Sequence, residues 1–194
     1  MNKRSTLISA LASTALIACG GGEPAETSDS AGSAVPVAAP PPATSEMTIP
    51  SWFEVDNEAR TVSMTITAGS TTENNSWNFN GATKGAITIT VPEGYTVTVE
   101  LVNNDPIMAH SLGISGETSS FSGAPEPVPV FEGAITENPT SMIDATMPGE
   151  TESIQFIANQ AGNYSMMCYT PGHALTGMWL YFNVSADGTV GVQQ

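Results

Sequence analysis

From about residue 60 onward, apolar side chains recur at every second position or in short β-branched and aromatic runs, over 60–67, 76–80, 86–91, 95–102, 110–115, 153–158, 162–168 and 178–184. Alternation of period two predicts strands with one buried face, and the breaks at 92–94 and 160–162 carry the Pro and Gly that turns require. Sustained helical periodicity is absent. Seven to eight short strands, each with one apolar face, close most simply as two packed sheets, so the expected fold is an all-β Greek-key sandwich.

The stretch 116–150 interrupts this pattern with Pro125, Pro127, Pro129, Pro139 and Pro148 and several glycines. A segment of that length without structure of its own is unusual inside a compact domain. It is expected to lie on the sandwich through Phe121, Val128, Val130, Phe131 and Ile135.

The first residues follow a different logic. Lys3 and Arg4 precede an apolar run, Leu7 to Ala18, that is too short to span a membrane, so residues 1–18 read as a secretory signal. Leu16-Ile17-Ala18-Cys19 resembles the lipobox of bacterial lipoproteins, which implies cleavage before Cys19 and lipidation of its sulfur. Residues 19–48, rich in Ala, Pro, Ser, Gly, Thr and Glu, hold too few large apolar side chains to offset the entropy of ordering and are expected to form a tether. The remainder, 49–194, is long enough for one core. The expected location is the cell envelope, lipid-anchored on the periplasmic face of a membrane or on the outer surface.

Composition narrows the partners. Once Lys3 and Arg4 leave with a signal, only Arg60 and Lys84 face 19 carboxylates, which excludes electrostatic binding to nucleic acid. The acidity suits solubility and could also steer a basic redox partner. With Cys19 lipidated, Cys168 is the only free thiol expected, so no disulfide framework is expected.

The chemistry concentrates on one loop, Cys168-Tyr-Thr-Pro-Gly-His173-Ala-Leu-Thr-Gly-Met178. A thiolate, an imidazole and a thioether are most of a mononuclear blue-copper site, in which soft sulfur and imidazole nitrogen form a trigonal plane and a weak axial thioether suits both oxidation states. The chain has two histidines, and the second, His110, lies at the start of an expected strand. Zinc is disfavoured, because its structural sites close with Cys, His or carboxylate. Met166 and Met167 are adjacent and should face opposite sides of a strand, at least one of them into core.

Three blocks carry a family resemblance: Trp77-Asn-Phe-Asn-Gly81 with 85–94, Asn103-Asn-Asp105 leading to His110-Ser-Leu112, and Pro171-Gly-His-Ala-Leu-Thr-Gly-Met-Trp179. The domain resembles the cupredoxins, and within them the sulfocyanin group and, more distantly, the rusticyanin group. The last block is the most specific, since four residues on each side of the loop His is the spacing these groups share. The resemblance implies one type 1 copper held by His110, Cys168, His173 and Met178, in an electron carrier that breaks no substrate bonds. It also implies that His173 reaches the surface within an apolar patch, here formed by Pro171, Gly172, Ala174 and Leu175 with Pro106, Ile107 and Met108. The non-ligating nitrogen of His110 is expected to be hydrogen-bonded, with Asn103, Asp105 and Ser111 as candidates to organise its strand and the thiolate.

The expected partners are redox proteins such as a c-type cytochrome or a terminal oxidase. The rival function is a copper chaperone or storage protein, which would be expected to show exposed Met- and His-rich clusters for hand-over. A copper nitrite reductase or multicopper oxidase needs further His clusters, and two histidines cannot supply them. The binuclear copper domain of cytochrome oxidase needs two cysteines in its ligand loop.

Overall fold

A computed structural model describes residues 46–194; the signal, Cys19 and most of the tether lie outside the described residues. Among the described residues nine strands form two sheets: β1 (Phe53–Asp56), β2 (Thr61–Ala68), β3 (Thr88–Pro92), β4 (Thr96–Asn103), β5 (Gly113–Gly116), β6 (Thr151–Ile157), β7 (Gly162–Met167), β8 (Trp179–Ser185) and β9 (Gly191–Gln193). The order is β1-β2-β4-β6 in one sheet and β5-β7-β8-β3-β9 in the other. β2 runs parallel to β4 and β3 parallel to β8, and the remaining pairs are antiparallel.

Alternation decides what each strand buries. Val62, Met64, Ile66 and Ala68 of β2 and Val97, Val99 and Leu101 of β4 turn inward, while the residues between them meet solvent or partial cover. Opposite them, Ile89 and Val91 of β3, Met166 of β7 and Leu180 and Phe182 of β8 complete the core. Removing one such side chain to Ala costs about 2–5 kcal/mol, because the space cannot close fully.

The second sheet is covered on its outer face as well. Met167, Tyr169, Ala174 and Trp179 form a smaller cluster against Phe121, Ile135 and Tyr181. Met166 and Met167 thus fill opposite faces of β7, as the strand period requires. The proline-rich stretch supplies this cover: Phe121 lies 5.2 Å from Trp179, and backbone bonds from Val130 to Ile114, Ile114 to Ala134 and Thr136 to Leu112 tie it to the edge strand β5. Phe131 enters the main core, stacked on Phe156. Val128 and Val130 do not pack as expected; they are exposed, at 70% and 41%.

Three further differences concern boundaries. The expected strand 76–80 is a short 3-10 turn, Glu73–Ser76, followed by isolated bridges at Phe79. His110 precedes β5 and pairs singly with Thr146. β1 and β9 carry too few residues for their alternation to stand out, which makes the count nine rather than seven to eight.

Candidate metal centre

The site lies where β4 and β7 run out into loops. Asn103, the last residue of β4, is fully buried, and its amide donates to the carbonyls of Met108 and Thr146, both at 2.8 Å, while accepting the Asp105 N–H at 2.9 Å. That amide folds the loop 104–110 back on itself. Asp105 continues the job: Oδ1 accepts the N–H groups of Ile107 and Met108, and Oδ2 meets His110 Nε2 at 3.0 Å. A Cβ on Gly69 would sit 2.7 Å from the Asp105 nitrogen, so glycine is required where β2 passes this turn.

On the other loop, Cys168 N–H bonds the Met178 carbonyl at 3.1 Å and Met178 N–H bonds the His173 carbonyl at 2.9 Å. The turn between them is one helical turn, α1 (His173–Thr176), entered and left through Gly172 and Gly177 in left-handed conformation. Cys168, His173 and Met178 are therefore fixed to one another by main-chain bonds and are all fully buried.

The two loops converge. Cys168 Sγ lies 3.5 Å from His173 Nδ1 and 4.0 Å from His110 Nδ1, and the two Nδ1 atoms are 3.2 Å apart. Among the described residues this is the one cluster of His, Cys and acidic donors able to hold a metal. Bonds of about 2.0 Å to nitrogen and 2.3 Å to sulfur, meeting in a plane, need sides of about 3.5–3.7 Å, so this triangle fits a single trigonally held ion. The nearby carboxylate of Asp105 is committed to His110 Nε2 and two N–H groups, so it is no fourth ligand of a zinc-like tetrahedron.

Electrostatics favours the thiolate. Burial pushes the Cys168 thiol up, but His110 and His173 beside the sulfur more than reverse this and hold it well below the ordinary thiol range. Burial likewise pushes Asp105 up, and the Ile107 N–H, His110 and the Met108 N–H outweigh it to leave a net lowering. Burial pushes His110 down, and Cys168 and Asp105 reverse this to leave it raised. Ser111 adds hydrogen bonds to the sulfur: its N–H lies 3.4 Å and its Oγ 3.6 Å from Sγ, and because Oγ accepts the Tyr169 N–H, its own proton is free to point at the sulfur.

Residues 49–193 match the sulfocyanin (SoxE) domain. The chain belongs to the sulfocyanin family. It is 29% identical over 135 residues to the sulfocyanin of Sulfolobus acidocaldarius, covering 67% of this chain and 66% of that protein. It is 30% identical over 93 residues to the rusticyanin of Acidithiobacillus ferrooxidans, covering 47% and 56%. The chain thus spans less than two thirds of the length of either relative. A rusticyanin crystal structure superposes with a TM-score of 0.51 at 21% identity, over 69% of this chain and 86% of that one, a likeness of fold. The two-sheet sandwich is the cupredoxin fold.

All three donors expected in the trigonal plane come together, and Met178 is held beside them through its main chain. One expectation fails for this sulfocyanin domain. His173 does not reach the surface: it is 0% exposed, with Trp77 stacked on it at 4.0 Å between ring centroids and 19° between planes. Its neighbours Leu175 and Ile107 are exposed, at 59% and 79%, as is Pro106, whereas Ala174 is buried. Trp77 carries no metal-ligating group and sits far from the ligand loop in sequence, so spacing gave it no role.

Proposed function

We propose that the chain is a blue-copper electron carrier in which His110, Cys168 and His173 form the trigonal plane and Met178 supplies the weak axial thioether. The observation that carries this is the triangle of one sulfur and two Nδ1 atoms, buried and held by two hydrogen-bonded loops. Copper in such a plane passes single electrons because its surroundings change little between the two oxidation states. The protein's part is to keep donors in place: Asn103 and Asp105 orient His110, main-chain bonds orient the other three, and Ser111 polarises the sulfur.

The partners that suit this reading are redox proteins such as a c-type cytochrome or a terminal oxidase, and the place is the cell envelope, with Cys19 as lipid anchor and no enzymatic turnover. The copper chaperone or storage reading is weaker, since hand-over needs accessible donors and all three are fully buried. Stopped-flow mixing separates the two. Rapid reduction of a c-type cytochrome by the reduced copper protein supports a carrier, whereas slow reduction alongside ready transfer of copper to a metal-free acceptor overturns it.

A further inference from the structure

His173 lies in the loop 171–176, exposed at Leu175 and Thr176, yet its ring is fully buried and among the described residues its Nε2 has no hydrogen-bond partner. What covers it is the partly buried indole of Trp77, in near-parallel contact. The indole is placed by effort elsewhere in the chain. Asn74, Asn75 and Ser76, directly before it, all adopt positive φ, at 53°, 58° and 65°. Asn tolerates this region better than most residues, but three such residues in a row, Ser76 among them, persist only where the surroundings hold them.

The enforcement is visible. The Asn74 amide donates to the Trp77 carbonyl at 2.8 Å, and Trp77 N–H returns to the Asn74 carbonyl at 3.0 Å. Asn78, fully buried, donates to the carbonyls of Thr71 and Glu73 and accepts the Gly81 N–H, so the whole loop is wound around one amide. Trp77 also packs against the main core. A residue serving only as apolar cover would not need this scaffold, since any large aliphatic side chain could exclude water from the ring below.

We propose that Trp77 is the outer end of the electron path, carrying electrons between His173 and whatever docks outside through the stacked indole rather than through an exposed imidazole edge. The inference rests on the carrier reading above. No bond forms or breaks and no proton moves. The indole is crossed, not oxidised, and in the test the one-electron donor and acceptor are reduced and oxidised copies of this same chain. Trp77 is in this sense a positioning residue of the path and coordinates nothing.

Electron self-exchange, read from NMR line broadening in mixtures of the two forms of the whole chain, tests this with Trp77→Leu and Trp77→Phe. The expected result is a self-exchange rate about tenfold lower in Trp77→Leu, equal to about 1.4 kcal/mol of barrier, with the visible spectrum unchanged. Trp77→Phe should keep most of the rate because it keeps a stacked ring. A rate in Trp77→Leu that is unchanged or higher, with colour intact, would overturn the proposal and make the indole a mere shield. A second readout does not depend on exchange. The emission lost on Trp77→Phe isolates the Trp77 signal, which copper(II) should quench strongly and zinc scarcely. Equal quenching by both metals, or none by either, would also overturn it. A wild-type chain that took up copper without becoming blue would instead refute the carrier reading before the path is in question.

Discussion

His110 and His173 offer the same Nδ1 to the same triangle, yet their far sides face opposite surroundings. His110 Nε2 meets a buried carboxylate, itself gripped by two N–H groups and backed by the satisfied amide of Asn103. Among the described residues His173 Nε2 has no hydrogen-bond partner, and its face lies under the partly buried ring of Trp77. The first environment fixes orientation and feeds negative charge toward the metal, which suits setting a reduction potential. The second offers polarisable, apolar contact and no charge, which suits a surface where partners meet briefly. Division of labour between two chemically identical ligands follows from their second neighbours alone.

The largest effect expected from breaking this contrast is at Asp105. Asp105→Ala leaves His110 Nε2 buried without its acceptor and takes away the acceptor of the Ile107 and Met108 N–H groups, and should cost about 2–4 kcal/mol in urea unfolding of the metal-free chain. Asp105→Asn keeps an acceptor and should cost less, about 1–2 kcal/mol. With copper bound it should raise the potential, since removing a negative charge favours the reduced state; each 59 mV is about a tenfold change in relative affinity for the two states. A potential unmoved by Asp105→Asn would deny the carboxylate its electronic role.

The same pair gives a pH signature. Because the Asp105 carboxyl is lowered from 3.8 on folding, its contribution to stability is present above pH 3.8 and is lost as pH falls through the lower folded value. Unfolding of the metal-free chain at pH 5 and at pH 3 should therefore show the gap between wild type and Asp105→Asn narrowing in acid. A gap that widened would mean that the carboxyl is not stabilised in its charged form.

Smaller effects are expected at the two sulfurs. Met178→Leu, nearly volume-conserving in a buried position, should cost less than about 1.5 kcal/mol and keep the copper while raising the potential. A lower potential would make Met178 packing only. Ser111→Ala removes the hydroxyl that faces Cys168 Sγ and accepts the Tyr169 N–H, so it should cost about 1 kcal/mol and lower the potential slightly, because a less hydrogen-bonded thiolate donates more strongly to the oxidised metal. Smallest in stability, within about 0.5 kcal/mol, is Leu175→Glu on the exposed loop. It should slow exchange with a cytochrome and leave copper affinity alone; unchanged exchange would place docking elsewhere.

Much of this was legible beforehand, for definable reasons. Strands with strict alternation, such as β2 and β4, announce themselves because one face is solvated. β1 and β9 are too short to do so, and β3 and β7 blur because both faces of the second sheet are covered. The ligand loop was readable because Cys168, His173 and Met178 are close in sequence, and His110 because the chain has so few histidines. Asp105 was one of three candidates, since nearness in sequence could not separate hydrogen-bonding to the imidazole from bracing of the loop or contact with sulfur, roles that fall to Asp105, Asn103 and Ser111 respectively. The position of Trp77 over His173 was invisible, because a contact between distant segments leaves no periodic trace. For the same reason the expected surface exposure of His173 failed, and the exposed Val128 and Val130 show that an apolar residue in a long loop need not find cover.

The most direct test of the copper site is the visible absorption spectrum during titration of the metal-free chain with copper(II), for wild type and for Cys168→Ser. The account predicts an intense blue thiolate-to-copper band that saturates at one copper per chain in wild type and is absent from Cys168→Ser, since only a deprotonated sulfur supplies that transition. A wild-type chain that stayed colourless, or a Cys168→Ser variant that turned blue, would contradict it.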